Sequence, residues 1–542
     1  MKVSCAIFFT AALALTVAGC NRASSDGSTS SVSQGPTTAT QADLNTLVCL
    51  SGSELENIRP LLPQLEKETG VHLELVSSGT LASVEKLQSG ASGYDCGWFS
   101  HNKYLMLDNQ VKGLVVKSER IMSSPVILGV KPDKAAALHW SADKTTWSDV
   151  AKAANDGNFT FAMTSPASSN TGMSALIGVT AALAESASAI DEKAIARVEL
   201  SGFGKGHVLF ADSSGWLTTA FAKELANPKG PDGIINYESE LLRLNATEKA
   251  NLTLIYPKEG IITADYPLML FNVDKKTQFD KVTAFFKRDA IQKVLMTTTY
   301  RRPASSNVTA DPSLFGDHLL VEVPFPGKVE VIDSLLMSYL DKQRRPAHVY
   351  FVLDTSGSMG TNGGIEQLRN AMIGLTGVDE SITGRFAKFR SRERVTVVEF
   401  AGAVKSLKSF EVSVDSGKKQ SEMTNLSTYA ANLSANGGTA IFDATRVAYD
   451  LAVKNQKLEP GYLQSVVVMT DGANNFGMDE ADFTQYFSAL PTDAKNVRVF
   501  GVLFGASASA AQIKTLTTLT GGEVFDGTKS ISTVFKRIRG YQ

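Results

Sequence analysis

Short apolar runs alternate with stretches of helical period along most of this chain. Residues 46–50 read as a strand, 54–69 as an amphipathic helix, 71–76 as a strand, 81–89 as a helix and 94–99 as a third strand. Strand–helix–strand order predicts a parallel sheet with helices on both faces and right-handed crossovers. The same pattern returns after residue 347. Residues 349–353 form a continuous apolar run, as a buried parallel strand requires, and 395–400, 466–469 and 497–504 repeat it. Helical stretches at 440–453, 481–490 and 508–519, and one beginning at Ile365, lie between them. Both regions are therefore expected to be α/β. Between them, residues 322–327 are an extended stretch broken by prolines, and 330–342 have helical spacing through Val331, Leu335, Leu336 and Leu340. Arg344-Arg345 closes this connection and reads as a solvated corner rather than a nucleic-acid patch.

The first residues, MKVSCAIFFTAALALTVAGC, carry one charge, Lys2, ahead of an apolar run from residue 7 to residue 18. That is the layout of an export signal, and the run is too short to span a bilayer. Val17-Ala18-Gly19-Cys20 resembles the lipobox of bacterial lipoproteins. The resemblance implies cleavage before Cys20 and acylation of that residue, and several acyl chains hold a protein on a membrane persistently. Residues 21–43 are rich in Ser, Thr, Gly and Gln with no apolar period, which predicts a flexible spacer. The division expected is signal 1–19, lipidated Cys and linker 20–45, a first domain 46–320, a connector 321–346 and a second domain 347–542.

Composition narrows the function classes. The length of 542 residues suits two to four domains. Lys and Arg total 53 against 55 Asp and Glu, a formal charge of −2, which argues against whole-chain electrostatic binding of nucleic acid. Beyond Cys5 and Cys20, the folded part holds Cys49 and Cys96, each near the end of an expected strand. In an oxidising compartment they can pair, or they are two buried small apolar residues; the reading leans to the latter, because sequence does not establish disulfide geometry. Two Cys without a second pair argue against a zinc site.

Three loops where strands hand over to helices are rich in hydroxyls and Gly: Ser51-Gly52-Ser53, Ser77-Ser78-Gly79-Thr80, and residues 165–172 with Ser168-Ser169-Asn170-Thr171-Gly172. They are either N-caps or ligand donors, since helix N-termini attract anions and polar groups and α/β sheets bind ligands beyond their strands' carboxyl ends. Residues 123–130, 256–260 and 265–268 look like the two crossovers of a type 2 periplasmic solute-binding protein, and Asn236-Tyr237-Glu238-Ser239 resembles a motif of its second lobe. The resemblance covers about residues 46–320. It implies lobe one at about 46–125 and 265–320, lobe two at about 126–264, and a ligand cleft between them lined by Ser53, Ser78, Thr80, Ser168, Ser169, Asn170 and Tyr237. No Arg or Lys lies in these loops, which disfavours a highly charged ligand, although uncharged donors can hold an oxyanion.

The second region carries the sharper chemistry. The strand 349–353 ends in Asp354-Thr355-Ser356-Gly357-Ser358, one carboxylate and two spaced hydroxyls. Hard cations such as Mg²⁺ want an oxygen shell that one loop does not supply. Asn436-Gly437-Gly438-Thr439 offers another hydroxyl ahead of a helix, and Thr470-Asp471-Gly472 another carboxylate after a strand. Together these resemble the von Willebrand factor type A (VWA) domain and its metal-ion-dependent adhesion site, over about residues 347–542. The resemblance implies a doubly wound, Rossmann-like fold and a metal site of Asp354, Ser356, Ser358, Thr439 and Asp471 that takes Mg²⁺, or Mn²⁺ or Ca²⁺, and completes its shell with an acidic group from a protein partner.

The six His stand in no H-E-x-x-H motif and beside no G-x-S-x-G elbow, and no phosphate-binding glycine motif is present. The expectation is a non-enzymatic, membrane-tethered extracytoplasmic binding protein: protein capture through the metal site, with a solute-binding-like domain that senses or binds a small solute or oxyanion. The alternative is a solute receptor of the ABC-transporter type with the second domain as a docking accessory; a metal-assisted phosphoesterase lacks evident acid–base residues.

Overall fold

The computed structural model describes residues 45–542, apart from residues 92, 185–189, 362, 505–509 and 529. The export signal, Cys20 and the spacer lie outside the described residues. The first region supplies β1 (Thr46–Ser51), β2 (His72–Ser77), β3 (Cys96–Trp98), β4 (Lys117–Arg120), β5 (Met122–Val130), β6 (Phe161–Thr164), β7 (His207–Ala211), β8 (Gly233–Tyr237), β9 (Thr253–Ile255), β10 (Thr263–Ala264), β11 (Pro267–Leu270) and β12 (Arg302–Pro303). They form two lobes. Lobe one is a five-stranded sheet in the order β2-β1-β3-β11-β4. Its β1, β2 and β3 are parallel, as expected, and β11 runs antiparallel between β3 and β4.

Lobe two has seven strands along the path β10-β5-β8-β6-β7, with β9 and β12 also on β5. This sheet is mixed. β6 is parallel to β7 and β8, whereas β5 meets β8, β9, β10 and β12 antiparallel. The chain enters β5 directly from β4, through Ile121. It leaves lobe two between β10 and β11, through Asp265 and Tyr266. β12 then returns to pair with Met122 and Ser123 at the start of β5.

Two expectations change. The helix read over 54–69 is a 3₁₀ turn, Ser53–Leu61, followed by an α-helix, Leu62–Thr69. Pro60 and Pro63 lack the N–H groups that a continuous helix needs. Cys49 and Cys96 are not separate thiols but a disulfide, with Cα atoms 4.4 Å apart. The parallel pairing of β1 with β3 puts both on one rung of the ladder.

The second region adds β13 (Ala347–Asp354), β14 (Arg394–Phe400), β15 (Val404–Glu411), β16 (Leu463–Thr470), β17 (Arg498–Leu503) and β18 (Val524–Asp526). Their order is β15-β14-β13-β16-β17-β18, all parallel except β15. β13 is central and buried throughout because both its faces are covered. Val349, Phe351 and Leu353 pack into one cluster, Tyr350 and Val352 into another. Strand order reverses between β13 and β16, and in open α/β sheets that point leaves a crevice at the carboxyl ends.

Arg344 is not a solvated corner. It is buried, ion-paired to Glu393, and donates to the Gln542 carbonyl at 2.7 Å. Arg539 pairs with the same carboxylate at 2.6 Å. Burial opposes charge on Glu393, but Arg539 and Arg344 outweigh it and hold the carboxyl down at about 2.

Candidate functional site

The second sheet places its acidic loops at the reversal point. Asp354 ends β13 and is fully buried; its carboxylate accepts the Ser356 N–H at 2.8 Å and the Thr470 hydroxyl, from the end of β16, at 2.6 Å. Ser356 Oγ stands 3.1 Å from Ser358 Oγ, and Ser358 Oγ donates to Asp471 Oδ1 at 2.7 Å. Backbone bonds tie the loop 436–439 in: Gly357 N–H to the Gly437 carbonyl at 2.8 Å, and Asn436 N–H to the Thr355 carbonyl at 2.9 Å. A side chain on Gly472 would meet Ser358 Oγ at 3.5 Å and Thr439 Oγ1 at 3.8 Å, so both hydroxyls front one small space. All five residues picked from the sequence thus gather at one edge, Asp354, Ser356 and Thr439 buried and Ser358 exposed.

The donor set suits a hard dication. In an octahedron with metal–oxygen distances of about 2.1 Å, neighbouring oxygens stand about 3 Å apart. The two separations, 3.1 and 2.7 Å, bracket that value. Among the described residues no group of three or more His, Cys, Asp or Glu could hold a metal ion; this edge offers two carboxylates and three hydroxyls instead. Burial pushes the Asp354 carboxyl above its usual range, against the hydrogen bonds from Thr470 and Ser356. A cation alongside would favour the carboxylate form.

The first region holds a cavity of about 550 Å³ between its lobes. All seven residues picked from the sequence line it: Ser53, Ser78, Thr80, Ser168, Ser169, Asn170 and Tyr237. Several meet the opposite lobe directly. Asn170 Nδ2 donates to Ser100 Oγ at 3.0 Å and to the His101 carbonyl at 3.1 Å, Tyr237 donates its hydroxyl to Ser100 Oγ at 2.7 Å, and Thr80 N–H donates to the Ser168 carbonyl at 3.3 Å. Ser169 caps the helix Asn170–Leu183, so the capping and the lining readings both hold for it. Asn170 Oδ1 and Glu54 Oε1 are buried without a hydrogen-bond partner.

Residues 48–295 match the family model of bacterial extracellular solute-binding proteins, and residues 348–536 match that of the von Willebrand factor type A domain. The chain joins a solute-binding domain to a VWA domain. No curated protein matches the sequence. Solved structures resemble a little over half of it. The periplasmic binding protein AfuA from Actinobacillus pleuropneumoniae, with fructose-6-phosphate bound, is 14% identical over 55% of this chain and 98% of its own, with a TM-score of 0.44. Iron-bound HitA from Pseudomonas aeruginosa is 13% identical over 54% and 99%, with a TM-score of 0.43. The ferric binding protein from Campylobacter jejuni is 13% identical over 54% and 98%, with a TM-score of 0.42.

Both domains use residues that sequence reasoning passed over. In the VWA domain, Asn475 Oδ1 accepts the Thr439 N–H and Asn474 Oδ1 the Ile441 N–H, both at 2.7 Å, so the Asn pair positions the second ligand loop. The signal was an Asn-Asn pair three residues after Asp471, short polar side chains that hold backbone at a turn. Phe476, beside them, is 54% exposed, an aromatic ring in water next to the acidic edge. In the solute-binding domain, Ser100 joins the lobes and Lys86 lines the cavity, half-buried. Burial lowers the pKa of the Lys86 ammonium, which donates to the Ser78 hydroxyl at 3.3 Å. The cavity walls are therefore not free of cations, although its three loops are.

Proposed function

We propose that this protein is an extracytoplasmic binding protein, held to a membrane by a lipid on Cys20, whose VWA domain captures a protein partner through a bound dication. Asp354, Ser356, Ser358, Thr439 and Asp471 would hold Mg²⁺, or Mn²⁺ or Ca²⁺ in its place. The ion supplies positive charge to which an acidic side chain of the partner adds the missing ligand. Phe476 lies close enough to add an apolar anchor at the same contact. The solute-binding domain holds a small solute between its lobes. The reading is of a binder rather than an enzyme.

One observation carries this reading: three loops, from separate parts of the sequence, bring oxygen donors to the reversal point of the sheet, those of Ser356, Ser358 and Asp471 about 3 Å apart in succession and Thr439 facing the same space. Thermal unfolding tests the ion first. At ten times its Kd, Mg²⁺ adds about 1.4 kcal/mol and raises the VWA midpoint by roughly 3–6 °C. Asp354→Ala abolishes that shift. A pull-down from intact cells, with and without EDTA, then compares partner recovery with the same variant. Equal recovery under all conditions rejects metal-mediated capture.

A second reading, a receptor that delivers solute to a permease, is favoured by the 550 Å³ cavity. Calorimetry against oxyanions, sugars and amino acids separates the two, and a flat response throughout removes transport.

A further inference from the structure

The solute cavity has three walls, not two. Besides both lobes, it is lined by Thr383, Phe386, Lys536, Arg537 and Gly540 of the VWA domain. These lie on the short helix Ile382–Ala387, the helix Ile531–Ile538 and the turn that follows it.

The VWA domain grips each lobe separately. On lobe one, Glu85 of the helix Thr80–Gln88 accepts the Thr383 N–H at 2.9 Å and the Thr383 hydroxyl at 2.7 Å. On lobe two, Arg537 Nε donates to Asp212 Oδ2 at 3.1 Å, Arg498 approaches Glu224 at 3.4 Å, and Trp216 meets Tyr541 edge to face with centroids 4.6 Å apart. At Gly540 the approach leaves no space: a side chain there would come within 2.9 Å of Asp212 Cβ and 3.1 Å of Ser168 Oγ.

Lys536 couples the two grips. It pairs with Asp379 at 2.7 Å and donates to Ser381 Oγ and Thr383 Oγ1 at 2.9 Å each. One helix therefore reaches lobe two with Arg537 and, one residue earlier, holds the segment that reaches lobe one. Each bond is modest singly, as part-exposed pairs are. Their arrangement matters more, because all lie around one cavity and span both lobes.

We propose that the VWA domain clasps the two lobes shut over the cavity, so that solute is exchanged only when this domain releases one lobe. The proposal rests on the solute-binding reading of the cleft and adds its regulation. The lobes are joined through Ile121, through Asp265 and Tyr266, and through the chain before β12, where they can pivot; a body fixed to both opposes that pivot. Coupling of this kind is reciprocal. A partner that draws the VWA domain away frees the cavity, and a solute that favours the closed lobes holds the VWA domain in place.

Hydrogen exchange on the full chain tests it, with Glu85→Ala loosening the hold on lobe one and Arg537→Ala the hold on lobe two. Each variant should speed exchange of residues 77–83 and 166–174 at least tenfold, while residues 349–353 in the VWA core stay as protected as before. Unchanged cleft exchange in both variants and in their combination would overturn the clasp. Calorimetry and stopped-flow binding of inorganic phosphate, glucose and glutamate to the same proteins address the solute separately. Any of these that binds should associate at least tenfold faster with the variants, and equal rates overturn the gating. Heat from none counts against the solute reading and leaves the exchange result to judge the clasp.

Discussion

A methyl group on Gly438 would come within 2.1 Å of the Phe476 ring and 3.1 Å of Asn475 Oδ1. Gly438→Ala should therefore push Phe476 and Asn475 aside and loosen Thr439, whose N–H that Asn holds. The expected outcome is an apparent Mg²⁺ affinity at least threefold weaker in thermal titrations, with the fold retained. A second residue tests the seam at the end of the VWA domain. Glu393→Gln leaves Arg344 and Arg539 buried without their shared carboxylate, which should cost about 3–5 kcal/mol in urea unfolding. Legibility differs between these two places. Asp354, Ser356 and Ser358 could be read because they are close in sequence and follow an unmistakable strand. Arg344 could not, because the carboxylate that buries it lies 49 residues further on.

Among the elements, β13, β14, β16 and β17 stood out in the sequence because strands covered on both faces are continuous apolar runs. β15 did not: it is an edge strand with most of its residues in or near solvent, and its hydrophobic signal is weak. β11 was read as a crossover, and its place between β3 and β4 depends on pairing across more than a hundred residues. The same holds for the rung that joins Cys49 to Cys96. That bond closes a separation of 47 residues, for which the chain-entropy model gives about 4 kcal/mol as an upper figure. The double variant Cys49→Ala/Cys96→Ala should lose about 2–4 kcal/mol in urea, in the solute-binding domain only. An unaltered midpoint would mean that β1 and β3 are held fully by their ladder.

For the whole molecule, acid is the informative stress. Burial lowers His101 and His207 from 6.5 to about 3, and His348 to about 4. Below pH 6.5 the unfolded chain takes up these protons and the native chain refuses them, so stability rises with pH through that window. The two sites of the solute-binding domain give a slope of about 2.7 kcal/mol per pH unit, and the single one in the VWA domain about 1.4. Glu393, whose folded value is depressed, adds its own loss only below its unfolded value of 4.5. Melting midpoints should therefore fall between about pH 7 and pH 5, more steeply for the first domain; flat midpoints would show that these imidazoles are protonated in place. The third wall of the cavity was illegible in the sequence, since it is built from residues some three hundred positions beyond the lobes they touch. The insertion of β11 also sets a timetable for the newborn chain. Lobe two is nearly contiguous and can assemble as it emerges, but β3 and β4 have no neighbour between them until Pro267–Leu270 arrives. A chain halted before that point would show two bare ladder edges to its surroundings, the feature on which aggregates nucleate and chaperones seize.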